Sequence, residues 1–354
     1  MAAGRALRRS VSAPTSGATP LSLGSVLRAV VSHRGVQIAV AAWVAGYLVV
    51  LRLAHGSLPF DRPAVAHLPF ASQLAAPTIG MIEIFGLMVL VFLLTRKRVI
   101  PDMAARAPEG RIALRETVLV LGYAALGQAG GWIVGPALGS LPFSFHLYGT
   151  LYGTTLTQTP ADVWIWALYN FVVFAVAPYF YFRRRYSNTE LNLRSVDRTN
   201  DLRLILIVMA IESAFELSVF GGIFRLSPHQ VLLGAPLSFA VFFIGTVLPT
   251  MVLIYAILLP RYLKLTRSAI STVLLGGLTY AAMHIVEGWS AFDSSRDIAL
   301  SLLFVLLSYV GPGMFKSVLT LRTGNTWVHA LGYHAVAPHV VADTPLVVKI
   351  FGVP

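Results

Sequence analysis

Cysteine is absent from the 354 residues, which excludes disulfides, thiolate metal ligands and a thiol nucleophile. Charge is scarce as well. Only 12% of residues are charged against 56% hydrophobic, whereas a soluble domain carries roughly a quarter charged residues. Too few polar side chains remain to cover a water-exposed surface, so the solvent for most of the chain is lipid. Acidic residues are scarcer still: 15 Asp and Glu face 27 Lys and Arg, for a net charge of +12. That surplus is no nucleic-acid footprint, which needs one contiguous basic face. The basic residues come instead in short runs between apolar stretches. Also missing are a His-x-x-x-His pair, a Gly-rich phosphate loop and a Ser-centred nucleophile elbow. The N-terminal region lacks a signal-peptide pattern, because its first apolar run is too long and no small-residue cleavage site follows.

What the chain has in abundance is long apolar runs. A bilayer core about 30 Å thick takes ~20 residues of helix. Suitable runs lie at 36–52, 76–94, 117–138, 163–181, 204–224, 237–259, 269–289 and 298–315, with a shorter one at 327–342. The expected fold class is therefore all-α, a polytopic transmembrane helical bundle of about eight or nine spans. Arg96, Lys97, Arg98, Arg106, Arg111 and Arg115 fill one intervening loop. Arg183, Arg184, Arg185, Arg194, Arg198 and Arg203 fill a second; Arg261, Lys264 and Arg267 a third; Lys316 and Arg322 a fourth. Residues 140–162 contain neither Lys nor Arg. The positive-inside rule then puts the N-terminus in the cytoplasm of a cell-membrane protein. Residues 1–34 read as a basic, disordered cytoplasmic tail, 35–188 as a region of four spans, 189–342 as a second transmembrane domain and 343–354 as a short tail.

A carboxylate or imidazole inside such a span is costly and marks a functional candidate. The set is Glu83, Glu212, Glu216, His284, Glu287, His329 and His334, with His339 near the end of the last span. Glu212 and Glu216, four apart, share a helix face. In low dielectric one of two such carboxylates is protonated unless a cation lies between them. His284 and Glu287, three apart, also share a face. Glu83 stands alone and reads as packing. One functional reading is a site for a general base or a divalent metal such as zinc, for which neutral imidazoles and carboxylates are suited. The plainer reading is interhelical hydrogen bonding.

These residues resemble a known pattern. From 191 to about 342 the chain resembles the CPBP family, which includes CAAX-processing type II proteases and bacteriocin-immunity (Abi) proteins. Tyr280-Ala-Ala-Met-His284 is similar to that family's Phe-x-x-x-His helix. Leu321-Arg322-Thr323-Gly324-Asn325-Thr326-Trp327 is similar to its approach to the last helix, and Gly332-Tyr333-His334-Ala335 supplies the late histidine. Leu258-Leu259-Pro260-Arg261 matches the stretch after the family's glutamate helix, and Leu191-Asn192-Leu193-Arg194 also fits. The resemblance implies intramembrane endopeptidase chemistry in which glutamates and histidines activate water or bind a metal. Aligned this way, however, the double glutamate falls on Thr250 and Met251, the following arginine on Tyr255, and the final Asn/Asp on Pro338.

Two readings follow from that departure. In the first, the catalytic glutamates are lost and the fold serves as a membrane binding, immunity or assembly module. In the second, Glu212 and Glu216 act from the preceding helix as general base, with His284 and His334 holding a metal or the developing oxyanion. Thr250, Met251, Tyr255, Tyr280 and Glu287 would then line the substrate cavity. Depths agree: at 1.5 Å per residue Glu212 lies roughly 14 Å from Arg203, Glu216 roughly 20 Å, and Thr250 roughly 15 Å from Pro260. A third reading is a transporter with an intramembrane proton relay, although no internal repeat supports it. The expected partners are membrane lipids and a membrane peptide or protein substrate.

Overall fold

The computed structural model describes residues 22–60, 68–146, 159–219 and 221–354. Among them every regular element is helical. In chain order these are α1 (Leu23–Ser32), α2 (Arg34–Ala54), α3 (Phe70–Thr95) and α4 (Gly110–Ala137). Then come α5 (Pro160–Arg183), α6 (Arg198–Val219), α7 (Pro228–Thr266), α8 (Ala269–Met283) and α9 (Ser295–Thr323). An irregular helical stretch over 327–342 follows, and α10 (Thr344–Phe351) ends the chain. Local chemistry marks several starts. Thr159 with Asp162 and Ser227 with Gln230 form capping boxes at α5 and α7, and Ser294 caps α9, each satisfying amides that have no intrahelical partner.

Six helices are long and apolar enough to cross a membrane: α2, α3, α4, α5, α7 and α9. They coincide with six of the nine apolar runs. The other three differ for physical reasons. Helix α6 carries Arg198, Asp201, Arg203, Glu212 and Glu216, too polar a set for a simple span. Helix α8 has 15 residues, about 22 Å of rise against a core of about 30 Å. The stretch 327–342 is broken into one short α turn and two wide π turns. Helix α1 lies within the stretch expected to be a disordered tail, of which residues 1–21 fall outside the described residues.

Helix α7 is the most buried of the six long apolar helices. It contains Pro236, Pro249 and Pro260, and π turns at Phe243–Val247 and Met251–Leu258. Proline removes a backbone donor and frees a carbonyl one turn back; a wide turn shifts the bonding register around it. Thr246 and Thr250 donate their hydroxyls to the carbonyls of Phe242 (2.9 Å) and Thr246 (2.8 Å). Helices α8 and α9 meet backbone to backbone. A Cβ on Gly313 would come within 2.5 Å of the Tyr280 Cβ, and one on Gly277 within 2.7 Å of the Val310 carbonyl. That close approach brings Tyr280 against the middle of α9.

Several residues expected in basic loops are instead buried. Lys316 is inside α9 and 1% exposed, and Arg261 is inside α7 and 1% exposed. Arg261 donates from Nε (2.8 Å) and Nη2 (2.6 Å) to Glu116 Oε2, and its guanidinium lies against the rings of Phe182 and Tyr186. The Tyr186 hydroxyl donates to the same carboxylate at 2.9 Å. Burial, with that carboxylate as acceptor, pushes the Tyr186 phenol up to about 12, so it remains a donor at neutral pH. At the same end of the bundle Arg98 pairs with Asp201 at 2.6 Å. Arg322 bonds the Thr95 carbonyl at 2.9 Å, tying α9 to α3. Arg106 bonds Asn192 Oδ1 (2.6 Å) and the Gly324 carbonyl (2.8 Å). Asn192 has a φ of 57°, a left-handed conformation asparagine tolerates. Its side-chain amide reaches the Tyr255 carbonyl at 3.1 Å.

Removing one partner of the Glu116–Arg261 pair leaves a buried charge uncompensated. Glu116→Ala should therefore cost about 3–5 kcal/mol and lower the thermal midpoint in detergent. The double variant Glu116→Leu/Arg261→Met should recover much of that loss, because it leaves no lone charge. A midpoint unchanged in Glu116→Ala would contradict the assignment.

Candidate functional site

Helix α8 ends at Met283, and His284 is its C-cap residue. The turn beyond is fixed by bonds from the Glu287 amide to Ser290 Oγ (3.2 Å) and the Ala291 amide to Ser301 Oγ (3.0 Å). It places the Glu287 carboxylate 2.7 Å from His284 Nδ1. A second imidazole arrives from the segment after α4. The Phe145 carbonyl accepts from Trp166 Nε1 (2.9 Å) and Asn170 Nδ2 (2.6 Å), while Ser144 Oγ donates to the Val286 carbonyl (3.1 Å). This pinning sets His146 Nδ1 3.2 Å from Glu287 Oε1. The His146 and His284 rings lie 3.8 Å apart, and His284 stacks on Tyr309 at 3.9 Å. All three residues are fully enclosed.

One carboxylate thus serves both imidazoles at Nδ1. With Nδ1 as the donor, each ring presents Nε2 as a lone pair, and both Nε2 atoms are buried without a protein partner. A carboxylate behind Nδ1 is also the usual support of a metal-ligating histidine. His146, His284 and Glu287 can bring one ligand atom each to within 4.8 Å of one another. Neutral imidazole donors fit a divalent ion of the zinc type; His146 and His284 would hold it through Nε2, with the Glu287 carboxylate behind both rings as their support.

The cavity beside them has a volume of about 130 Å³, room for several waters. Its wall includes His146, Tyr280, His284, His334 and His339, together with Glu212, Glu216, Tyr333 and Lys316. His334 bonds Thr250 Oγ1 through Nδ1 (3.3 Å) and the Tyr280 hydroxyl through Nε2 (3.3 Å). His339 Nδ1 meets Asp343 Oδ2 at 2.8 Å and its Nε2 meets Thr246 Oγ1 at 3.2 Å. The Lys316 ammonium rests 3.6 Å from the centre of the Tyr280 ring, a cation–π contact. Glu212 Oε2 and Glu216 Oε2 are buried without a hydrogen-bond partner.

Comparison with known protein families, with curated proteins and with solved structures returns no match for this chain. The site therefore rests on its own geometry.

Of the residues singled out in the sequence, Glu212, Glu216, Tyr280, His284 and His334 share one cavity. Glu287 is bonded directly to His284. Thr250 lies behind His334. Met251 and Tyr255 are buried on α7 away from the cavity wall, and the Tyr255 hydroxyl donates to the Gly313 carbonyl at 3.3 Å. His329 packs its ring 4.3 Å from that of Tyr255, with both nitrogens unpartnered. The expected metal pair of His284 and His334 is not the grouping observed among the described residues, where His146 stands beside His284. Glu83, expected to be isolated packing, lies close enough to Glu212 to interact with it, where α3 meets α6. His146 and Lys316 were not candidates in the sequence: one follows the end of an apolar run, the other reads as a loop charge.

The two histidine assignments separate in a binding experiment. Titrated with Zn²⁺ in detergent, His146→Ala and His284→Ala should each lose the site. Glu287→Gln should weaken it by about 10–100-fold, the usual effect of removing a supporting carboxylate. His334→Ala should leave stoichiometry unchanged. Loss of zinc in His334→Ala with retention in His146→Ala would reverse the assignment.

Proposed function

We propose that this chain is an intramembrane hydrolase of the endopeptidase type, related in chemistry to the CPBP proteins it resembles, with its acidic groups supplied by α6. The observation that supports the reading is that Glu212 and Glu216 line the same cavity as His284 and His334. Hydrolysis in a bilayer requires a pocket that holds water, a base to take its proton and donors for the developing oxyanion. Glu216, whose Oε2 has no partner, is the base; it accepts the proton of a cavity water and later returns it to the leaving amine. The Tyr280 hydroxyl donates to His334 Nε2 at 3.3 Å and becomes an oxyanion donor on turning from that imidazole to the substrate. His146 and His284, supported by Glu287, form the metal-holding group. A divalent ion bound there would supply Lewis acidity toward the water or the scissile carbonyl. The substrate on this reading is a membrane peptide or protein segment, and the location is the cell membrane with the N-terminus in the cytoplasm.

A second reading has its own observation. At the positions where the resembled family carries glutamates, Thr250 spends its hydroxyl on its own helix and His334, and Met251 is packed in the core. The cavity, about 130 Å³, holds water but not a stretch of peptide until the bundle opens. On this reading the chain is a non-hydrolytic membrane binding or assembly module.

Cleavage of a fluorogenic transmembrane peptide library in nanodiscs separates the two. Hydrolysis should fall about 10²–10⁴-fold in Glu216→Gln, and should stop on chelation and return with added zinc. Turnover equal in wild type and Glu216→Gln would refute the proposed base. No cleavage by zinc-loaded wild type, with a membrane partner retained on the protein, would favour the binding module.

A further inference from the structure

Thr250 on α7 has a single hydroxyl proton and three polar neighbours. Its Oγ1 donates to the Thr246 carbonyl at 2.8 Å, a bond shared with the Val247 carbonyl at 3.1 Å. A carbonyl cannot donate, so the hydroxyl proton belongs to the helix. The third neighbour, His334 Nδ1 at 3.3 Å, therefore meets an oxygen lone pair and has to bring the hydrogen itself. Among the described residues no carboxylate bonds His334, and the Lys316 ammonium already stands 3.6 Å from the centre of the Tyr280 ring. A buried imidazole with a cation nearby and no counter-charge bonded to it stays neutral. With Nδ1 as donor, Nε2 is the lone pair, and the Tyr280 hydroxyl at 3.3 Å is its donor. Thr250, His334 and Tyr280 are all buried, so water does not scramble this order.

The hydrogens thus run one way: Tyr280 O–H to Nε2, Nδ1–H to Thr250 Oγ1, Thr250 O–H to its own helix. The Tyr280 proton is parked on a neutral acceptor. A substrate carbonyl is also neutral and gains nothing by displacing the imidazole. A developing oxyanion is charged, forms a bond roughly twice as strong, and can take the hydroxyl away. The bond then exists in the transition state and not in the bound ground state, which raises turnover rather than binding. We propose that Thr250 is a positioning residue: by holding His334 in the Nδ1–H form, it keeps the Tyr280 hydroxyl on His334 until a charged oxygen competes for it. The kinetic consequence rests on the hydrolytic reading; the order of the hydrogens does not. In Thr250→Val, Nδ1–H would be buried without an acceptor, a costly state. The proton moves to Nε2, where the Tyr280 oxygen accepts it, and the phenol proton is released to the substrate carbonyl.

Nitrogen NMR of the full chain, isotope-labelled at histidine and held in phosphatidylcholine nanodiscs at neutral pH, reads the order directly. The signals lost in His334→Gln assign the ring. Wild type should be protonated at Nδ1 and bare at Nε2, Thr250→Val should carry the proton on Nε2, and Thr250→Ser should return it. In the peptide-cleavage assay Thr250→Val should lower KM and kcat together by about 2–10-fold, the worth of an ordinary hydrogen bond, with kcat/KM nearly constant; Thr250→Ser should restore both. Wild-type His334 protonated at Nε2, alone or together with Nδ1, overturns the proposal, as do His334 signals in Thr250→Val that match wild type. A fall in kcat with KM unchanged overturns the parking of Tyr280. If no protein cleaves, the hydrolytic reading fails and the nitrogen signals still decide the order; if Thr250→Val does not fold, the wild-type signals decide it alone.

Discussion

Hydrocarbon offers no hydrogen bonds, so each polar group turned inward by a spanning helix must find its partner within the protein. The bundle is organised around that demand. Glu116 and Arg261 neutralise each other with Tyr186 as a third member, and the pair joins α4 to α7. Arg98 and Asp201 do the same for α3 and α6. Arg322 closes α9 onto the end of α3. These contacts gather at one end of the bundle, where the helices are clamped by charge as well as by apolar packing. A single unpaired member would cost several kcal/mol, a large part of the whole stability of a domain.

Deeper in the bundle the same demand is only partly met, and that is where the chemistry lies. His146 and His284 satisfy Nδ1 through Glu287 but leave Nε2 bare. Glu212 and Glu216 each keep an oxygen without a partner. Native interiors leave few such atoms, and these four belong to residues that line a single polar chamber. At the clamp each charge has its counter-charge or a carbonyl, with Arg98 Nε left over, so the scaffold is tied down at one end while the chamber keeps unused lone pairs for water, protons or an ion.

Six spanning helices were legible in the sequence because length and hydropathy are local properties. The His284–Glu287 contact was legible too, since three residues along one chain stay close in any helix or tight turn. His146 was not: it sits in a non-helical segment with no periodicity and meets Glu287 across 141 residues of chain. Lys316 was hidden by the positive-inside rule, which reads a lysine at the edge of an apolar run as a loop; α9 instead continues past it to Thr323. Glu83 was named in the sequence but read as standing alone, because no spacing rule reports a contact between α3 and α6. The missing family glutamates turned attention to Glu212 and Glu216, and both do line the cavity that holds His284.

The seam between α8 and α9 has a mechanical consequence. Where Gly277 and Gly313 let two backbones touch, there is no glycine side chain that can swing aside by rotating about χ1. The two helices are therefore constrained to move as one rigid plate bearing Tyr280, His284, Tyr309 and Lys316. Any breathing that admits a guest has to come from the opposite wall, formed by α6 and the broken stretch over 327–342, whose short and wide turns make it the compliant side of the chamber.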